Sequence, residues 1–436
     1  MADAPTVATD CSAVPPAPWN NTSRGRGRGS PAGTASNASA PGPRSSRETP
    51  GTGAGPVGCW SGRLSRRPSA AREEGDTALP YPRTADLHDR GQGGVMAETI
   101  PDSMLAGRLN VRTCDFAVTE VPVPTPGPGE VLVRVRAAGV CLSDVHLIEG
   151  ELTPLFLPGD TVTLGHEVAG TVAALGAGVT GWTADQRVLL QAGEERHGVV
   201  HTRGVDYDGG WAQYAVARAD TLVAVPDDLP LEQACIVPDA VSTPWGAITA
   251  TAGVRPAQPV GVWGIGGLGA HGVQLLRLAG AAPIIAIDPV PAARERALQF
   301  GADLALDPAA DDLVDRVRAA TGGAGLAFAF DFAGVAAVRE QAIRALGVGG
   351  ALVLVGLTRQ PLTIADGTAF SYFGQKVLGH YGSLPEHVLE LVQLVRHHRI
   401  HFARSVSDTL PLSEAATAVE RLSRKEGDPI RLVLQP

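Results

Sequence analysis

Residues 259–288 read PVGVWGIGGLGAHGVQLLRLAGAAPIIAID, and this stretch decides the architecture. An apolar run, a glycine turn, an amphipathic stretch and a second apolar run spell strand, turn, helix, strand: a βαβ unit. Gly264, Gly266 and Gly269 form G-x-G-x-x-G directly after the first strand, with Gly267 and Leu268 opening the helix. The first glycine allows the tight turn, the second lets backbone approach a pyrophosphate, and the third permits close helix packing, so that helix N–H groups aim at phosphate. Asp288 closes the second strand about 20 residues after Gly269, the separation at which a carboxylate meets ribose hydroxyls. A carboxylate there repels a 2′-phosphate, so NAD is expected over NADP. Arg294 downstream could meet such a phosphate, but reads more simply as an exposed helix arginine. A glycine-rich turn with no ligand is the plainer alternative; strand, spacing and acid together argue against it.

Working downstream, RERALQFGADLALD, LAFAFDFAG, VREQAIRALGVGG and ALVLVGL continue the alternation, predicting a parallel sheet covered by helices. From about Gly382 come a helical PEHVLELVQLVRHH and a strand-like IRLVLQP. Upstream, EVLVRVRAAGV from Glu130 alternates apolar and polar residues, as a half-buried antiparallel strand does. EVAGTVAALG, QRVLL, WAQYAVA and TLVAVP follow as short strands between Gly and Asp turns, so this region is mainly β. Before about Val95 the chain is Pro-, Gly-, Ala-, Ser- and Arg-rich, with RGRGRG at Arg24–Gly29. Such a segment cannot bury enough apolar surface to offset its ordering entropy and is expected to be disordered. Met96, just before patterned sequence at Val121–Pro128, is the expected native start.

The chain has 436 residues, 19% charged and 44% hydrophobic, which suits two soluble globular domains. The net charge of −9 divides into +3 in the leader and −12 in the remainder. RGRGRG is too short, and too free of aromatic residues, to make a nucleic-acid partner the expectation. No apolar run approaches the ~18 residues needed to span a bilayer. The five cysteines are scattered without a CxxC pair, and Met1–Asp10 lacks a secretory pattern, which together suggest a reducing cytoplasm.

The remaining candidates are metal ligands. Cys141 follows the first clear strand and His166 opens another. Zn²⁺ accepts thiolate, imidazole and carboxylate, and three protein ligands with one open position make a catalytic site. Singly, Cys141 could be a small buried apolar residue and His166 a satisfied turn histidine. The ensemble is more specific. GVCLSDVH (139–146), GHEVAGTV (165–172), DGGWAQY (208–214), DAVSTPWGA (239–247), GIGGLG (264–269) and IRLVL (430–434) stand in the order and approximate spacing of the zinc-containing alcohol dehydrogenases of the medium-chain dehydrogenase/reductase superfamily, and the chain resembles them over roughly residues 110–436.

The resemblance implies an α/β protein: a discontinuous, mainly-β GroES-like catalytic domain (97–240 and 381–436) around a Rossmann doubly wound coenzyme domain (241–380), preceded by the leader (1–96). It implies one catalytic zinc on Cys141, His166 and Asp239, where many relatives carry cysteine; nearby Cys235 is the less favoured ligand. Glu167 matches an acid that lies behind the metal or swings onto it, and Asp144 the carboxylate that orients the histidine ligand. Ser143 and His146 match a proton relay, Thr243 a contact to the nicotinamide, and Arg431 a pyrophosphate partner. Zinc in such a site lowers the alcohol's pKa, and hydride passes to NAD. Three features depart from the pattern. After QRVLL stands QAGEERHGVVHTRGVDYDGG, with no cysteine, so no structural zinc is expected. Leu142 replaces a basic pyrophosphate contact, and Ala192 a bulky pocket residue, which suits a secondary or bulky alcohol. A homo-oligomer, dimer or tetramer, is implied by resemblance. The alternatives are a zinc-free quinone or enoyl reductase, which lacks the ligands and Asp288, and a non-catalytic nucleotide-binding relative, in which the site residues would have decayed.

Overall fold

The computed structural model describes residues 99–436; the expected leader and the expected start at Met96 lie outside them. A mainly antiparallel seven-stranded sheet runs in the order Leu222–Ala224, Arg187–Leu190, Val168–Leu175, Glu130–Val140, Arg431–Gln435, Val406–Pro411, with Tyr214–Arg218 also pairing to Glu130–Val140. Glu130–Val140 is central rather than half-buried: only Arg136 is exposed. Neighbours cover both faces, Val131, Val133 and Val135 entering one apolar cluster and Leu132 another. The patterned structure also begins earlier than Val121, with Ser103–Asn110 pairing antiparallel to Asp115–Pro122. Downstream of QRVLL a short hairpin, Gly193–Arg196 with Val199–Thr202, occupies the cysteine-free segment.

The second sheet has six strands: Val260–Trp263, Ile284–Ile287, Leu304–Leu306, Leu326–Asp331, Leu346–Leu354 and Lys376–Gly379. All its pairings are parallel. Counted along the chain, their spatial order is 3-2-1-4-5-6, the doubly wound arrangement in which a ligand sits where strand order reverses, outside strands 1 and 4. The helix Gly267–Leu278 starts at that point. The fifth strand begins at Leu346, before the expected ALVLVGL, and its pairing register shifts between Leu326 and Phe328. Val262, Val273, Leu275 and Leu276 share one buried cluster with Ala137, Ala169 and Leu189, so the glycine turn and the β region rest on a continuous core. Each fully buried Leu or Val there contributes roughly 1.5–3 kcal/mol. Val388, Leu391 and Val392 of the helix Pro385–Arg396 enter the same cluster. Among the described residues no helix is long and apolar enough to cross a membrane.

Candidate metal centre and nucleotide cleft

Three separate elements converge on one point. Cys141 caps the helix Leu142–Ile148, held there because Asp144 Oδ2 accepts its backbone N–H at 2.9 Å. His166 follows Gly165, whose φ of +94° only glycine adopts without strain. A Cβ at Gly165 would collide with the indole of Trp211. That tryptophan is fully buried and donates through Nε1 to the Gly139 carbonyl at 3.0 Å. Asp239 lies in a π-helical turn, Val237–Val241, a wider coil that turns up often at functional sites.

The ligand atoms of Cys141, His166, Glu167 and Asp239 all lie within 4.8 Å of one another. Cys141 Sγ stands 3.5 Å and His166 Nε2 3.4 Å from Asp239 Oδ2. Behind the imidazole, Asp144 Oδ1 is 3.6 Å from His166 Nδ1. Cys235 is outside the cluster; its buried thiol donates to the Glu232 carbonyl at 3.3 Å, and burial pushes its pKa well up. Thr243 donates to Asp239 Oδ1 at 2.7 Å, so its hydroxyl steadies the acid in addition to any cofactor role. Ser143 Oγ is 3.6 Å from Cys141 Sγ, and His146, one turn further along the helix, is half-buried with Nε2 3.9 Å from Glu151.

Arg431, the expected pyrophosphate partner, has further partners within the protein: its buried guanidinium pairs with Glu167 Oε1 at 2.7 Å and lies 3.5 Å from Asp239 Oδ2. It also abuts the glycine turn: a Cβ at Gly267 would stand 2.6 Å from Nη1. The side-chain cluster and the glycine turn therefore share one cation.

Burial dominates the electrostatics. It disfavours a charged His166, but Asp144, Asp239 and Cys141 together hold the imidazole pKa well above its usual value. Burial would likewise raise Asp239, yet His166, Arg431 and Thr243 keep it well below the carboxylate range. Burial raises Asp144 and Glu167, with His166 and Arg431 respectively offsetting only part of the effect. A divalent cation fits this donor set. It would replace the proton held on His166, and the thiolate and Asp239 would neutralise it while Arg431 answers Glu167. Glu167 Oε2, His166 Nδ1 and Asp144 Oδ1 are buried without a hydrogen-bond partner.

At the cleft, Gly266 has open space where a Cβ would be, which suits close approach of a ligand, whereas a Cβ at Gly269 would strike the Gly264 carbonyl. Leu268 is half-buried in the helix's first turn. Asp288 is 8% exposed and accepts the Ile265 N–H at 2.7 Å, binding the turn to the second strand. Arg294 donates to the Asp288 carbonyl at 2.7 Å and pairs with Asp307 at 3.1 Å, so it is already engaged. Leu142 is 41% exposed, and the Ala192 carbonyl accepts the Arg203 N–H at the hairpin's base. The supporting role of Trp211 has no mark in the sequence beyond DGGWAQY, a large apolar residue after two glycines. The buried pair of Arg339 and Asp331 at 2.7 Å, which ties down the loop after the fourth strand of the parallel sheet, has none.

Comparison with known proteins places these features. The pattern of the alcohol dehydrogenase GroES-like domain matches residues 127–227, and that of the zinc-binding dehydrogenases matches 267–397. An alcohol dehydrogenase of Geobacillus stearothermophilus is 31% identical over 70% of this chain and 92% of its own. The solved acetophenone reductase of Geotrichum candidum, in complex with NAD, superposes with a TM-score of 0.68 at 26% identity, covering 78% of this chain and 99% of its own. A Sinorhizobium meliloti protein described as a zinc-binding dehydrogenase, bound to NADP, gives 0.70 at 25% identity over 77% of this chain and 100% of its own. Sequence pattern, sheet order, ligand cluster and relatives converge: the chain belongs to the zinc-type alcohol dehydrogenases of the medium-chain dehydrogenase/reductase superfamily, oxidoreductases that act on small-molecule alcohols with a nicotinamide cofactor.

Proposed function

We propose that the protein interconverts a secondary or bulky alcohol and its carbonyl with NAD, using one zinc held by Cys141, His166 and Asp239 and no structural zinc. The observation that carries this is the convergence of a cysteine sulfur, an imidazole and a carboxylate within 4.8 Å, joined to the glycine turn through Arg431. When bound, zinc supplies the Lewis acid that lowers the alcohol's pKa. The protein's share is positional. Asp144 orients His166, Thr243 holds Asp239, and Arg431 keeps Glu167 paired beside the metal. Ser143 takes the substrate hydroxyl's proton and passes it towards His146, whose partial exposure gives it an outlet to solvent. Asp288, with Arg294 occupied by Asp307, favours the unphosphorylated ribose of NAD. The hairpin Gly193–Thr202 needs no metal, since Arg196 pairs with Glu194 and lies over the Tyr207 ring at 4.6 Å. The retained ligands speak against a zinc-free quinone or enoyl reductase. The same proposal includes a homo-oligomer, supported by Val348 and Tyr372, 81% and 84% exposed near the sheet's Lys376–Gly379 edge, and a reducing cytoplasm, where Cys141 stays unoxidised.

The test joins metal analysis to a screen of primary, secondary, cyclic and polyol alcohols with NAD and NADP, with light scattering for the assembly. One zinc per chain with NAD reduction is expected; a metal-free preparation that refuses zinc sinks the proposal. Asp239→Ala should lose metal and activity together, and Cys235→Ala should keep both.

A further inference from the structure

Away from the cleft, a cavity of about 420 Å³ opens between the Ser103–Pro122 hairpin and the cysteine-free segment. Its charged lining is mostly self-compensated. Arg108 pairs with Asp208 at 2.7 Å, Arg196 with Glu194, and Glu130 accepts the Gly127 N–H. Arg203 is the exception. It is 1% exposed, and its guanidinium donates only to the Val216 carbonyl at 3.0 Å and, weakly, to that of Gln191 at 3.5 Å. Among the described residues no carboxylate pairs with it. A buried cation with no directly paired carboxylate is costly, and a guanidinium presents a fork of donors matched to oxyanions. Beside it, the Tyr207 ring lies 5.1 Å from Arg203 and 4.6 Å from Arg196, while the buried Tyr207 Oη has no hydrogen-bond partner. Burial pushes that phenol's pKa up, keeping it a donor.

We propose that this cavity is a binding site for a small oxyanion, a phosphate or a carboxylate, held by Arg203 and Tyr207. The site bears on the metal centre. The segment following Arg203 grips the backbone before His166, with Gly209 N–H on the Thr163 carbonyl at 2.7 Å and Gly210 N–H on the Gly165 carbonyl at 2.8 Å. An anion on Arg203 therefore braces the backbone before His166 from behind.

The experiment uses zinc-loaded enzyme saturated with NADH, so that the pyrophosphate site is filled. Inorganic phosphate and succinate are titrated separately against potassium chloride of matched ionic strength, following Tm. At least one should give a saturable rise of about 2–4 °C, and which one does so identifies the anion. Tyr207→Phe should weaken the apparent affinity about five- to tenfold with alcohol oxidation intact, and Arg203→Met should abolish the rise. A rise that does not saturate, or that Tyr207→Phe leaves unchanged, overturns the proposal even where Arg203→Met fails to fold.

Discussion

His271 offers a quantitative test of the fold around the nucleotide turn. Its ring is wholly buried in the helix Gly267–Leu278, with Nδ1 2.6 Å from the Gly267 carbonyl and Nε2 2.8 Å from Ser405 Oγ. A neutral ring that donates from Nδ1 and accepts the serine hydroxyl satisfies both ends without bringing a charge into the core. Burial, the largest influence, lowers the pKa to about 4. The unfolded chain titrates near ~6.5, so it takes up the proton first as pH falls. The contribution to stability is therefore complete above pH ~6.5 and is lost as pH drops towards 4. Between pH 7.5 and 5 the loss comes to about 2 kcal/mol at 1.36 kcal/mol per pKa unit. His271→Gln keeps a polar side chain and removes the titration. Urea unfolding of both proteins at the two pH values, followed by tryptophan fluorescence, should show the variant losing about 2 kcal/mol less than the parent. Protonation of metal ligands is common to both and cancels. Equal losses would refute the assignment of a neutral buried imidazole.

Two further perturbations probe the site's supports. Gly139→Ala drives a methyl into the Glu167 carboxylate, which Arg431 and the Ala240 N–H hold in place; a cost of about 1–3 kcal/mol in urea unfolding is expected, and Glu167→Ala in the same chain should relieve part of it, since Glu167 Cβ remains 2.9 Å from the new methyl. Arg339→Met strands the buried Asp331 carboxylate, 0% exposed, and should cost about 3–5 kcal/mol in the same assay, far more than removal of an exposed pair such as Arg424 with Glu420.

What was legible in the sequence follows from how local each feature is. The glycine turn, its strand and Asp288 lie within one βαβ unit, so spacing alone reveals them. Cys141, His166 and Asp239 come from three distant elements, and only resemblance assembled them; helical periodicity cannot separate Asp239 from Cys235, because the π-helical turn between Val237 and Val241 changes which side chains face the site. The Ser103–Pro122 hairpin escaped because its second strand is largely exposed and its alternation, Phe116 and Val118 inward, breaks at Thr119 and Glu120. Arg431 was recognised, but no pattern within IRLVL could reveal a partner in GHEVAG; that pairing exists only once Arg431–Gln435 lies beside Glu130–Val140.

The position of Arg431 also bears on how the site is made. Cys141, His166 and Glu167 precede the whole six-stranded sheet in the chain, and the arginine follows it. During synthesis, then, Glu167 waits for its counter-charge until an entire domain has been threaded between them. Long-range closures of this kind are slow and come late in folding. On the proposed function, competence for chemistry thus becomes a checkpoint on the completed chain: a product cut short inside the nucleotide domain can present Cys141, His166 and Asp239 and still lack the cation that joins them to the glycine turn.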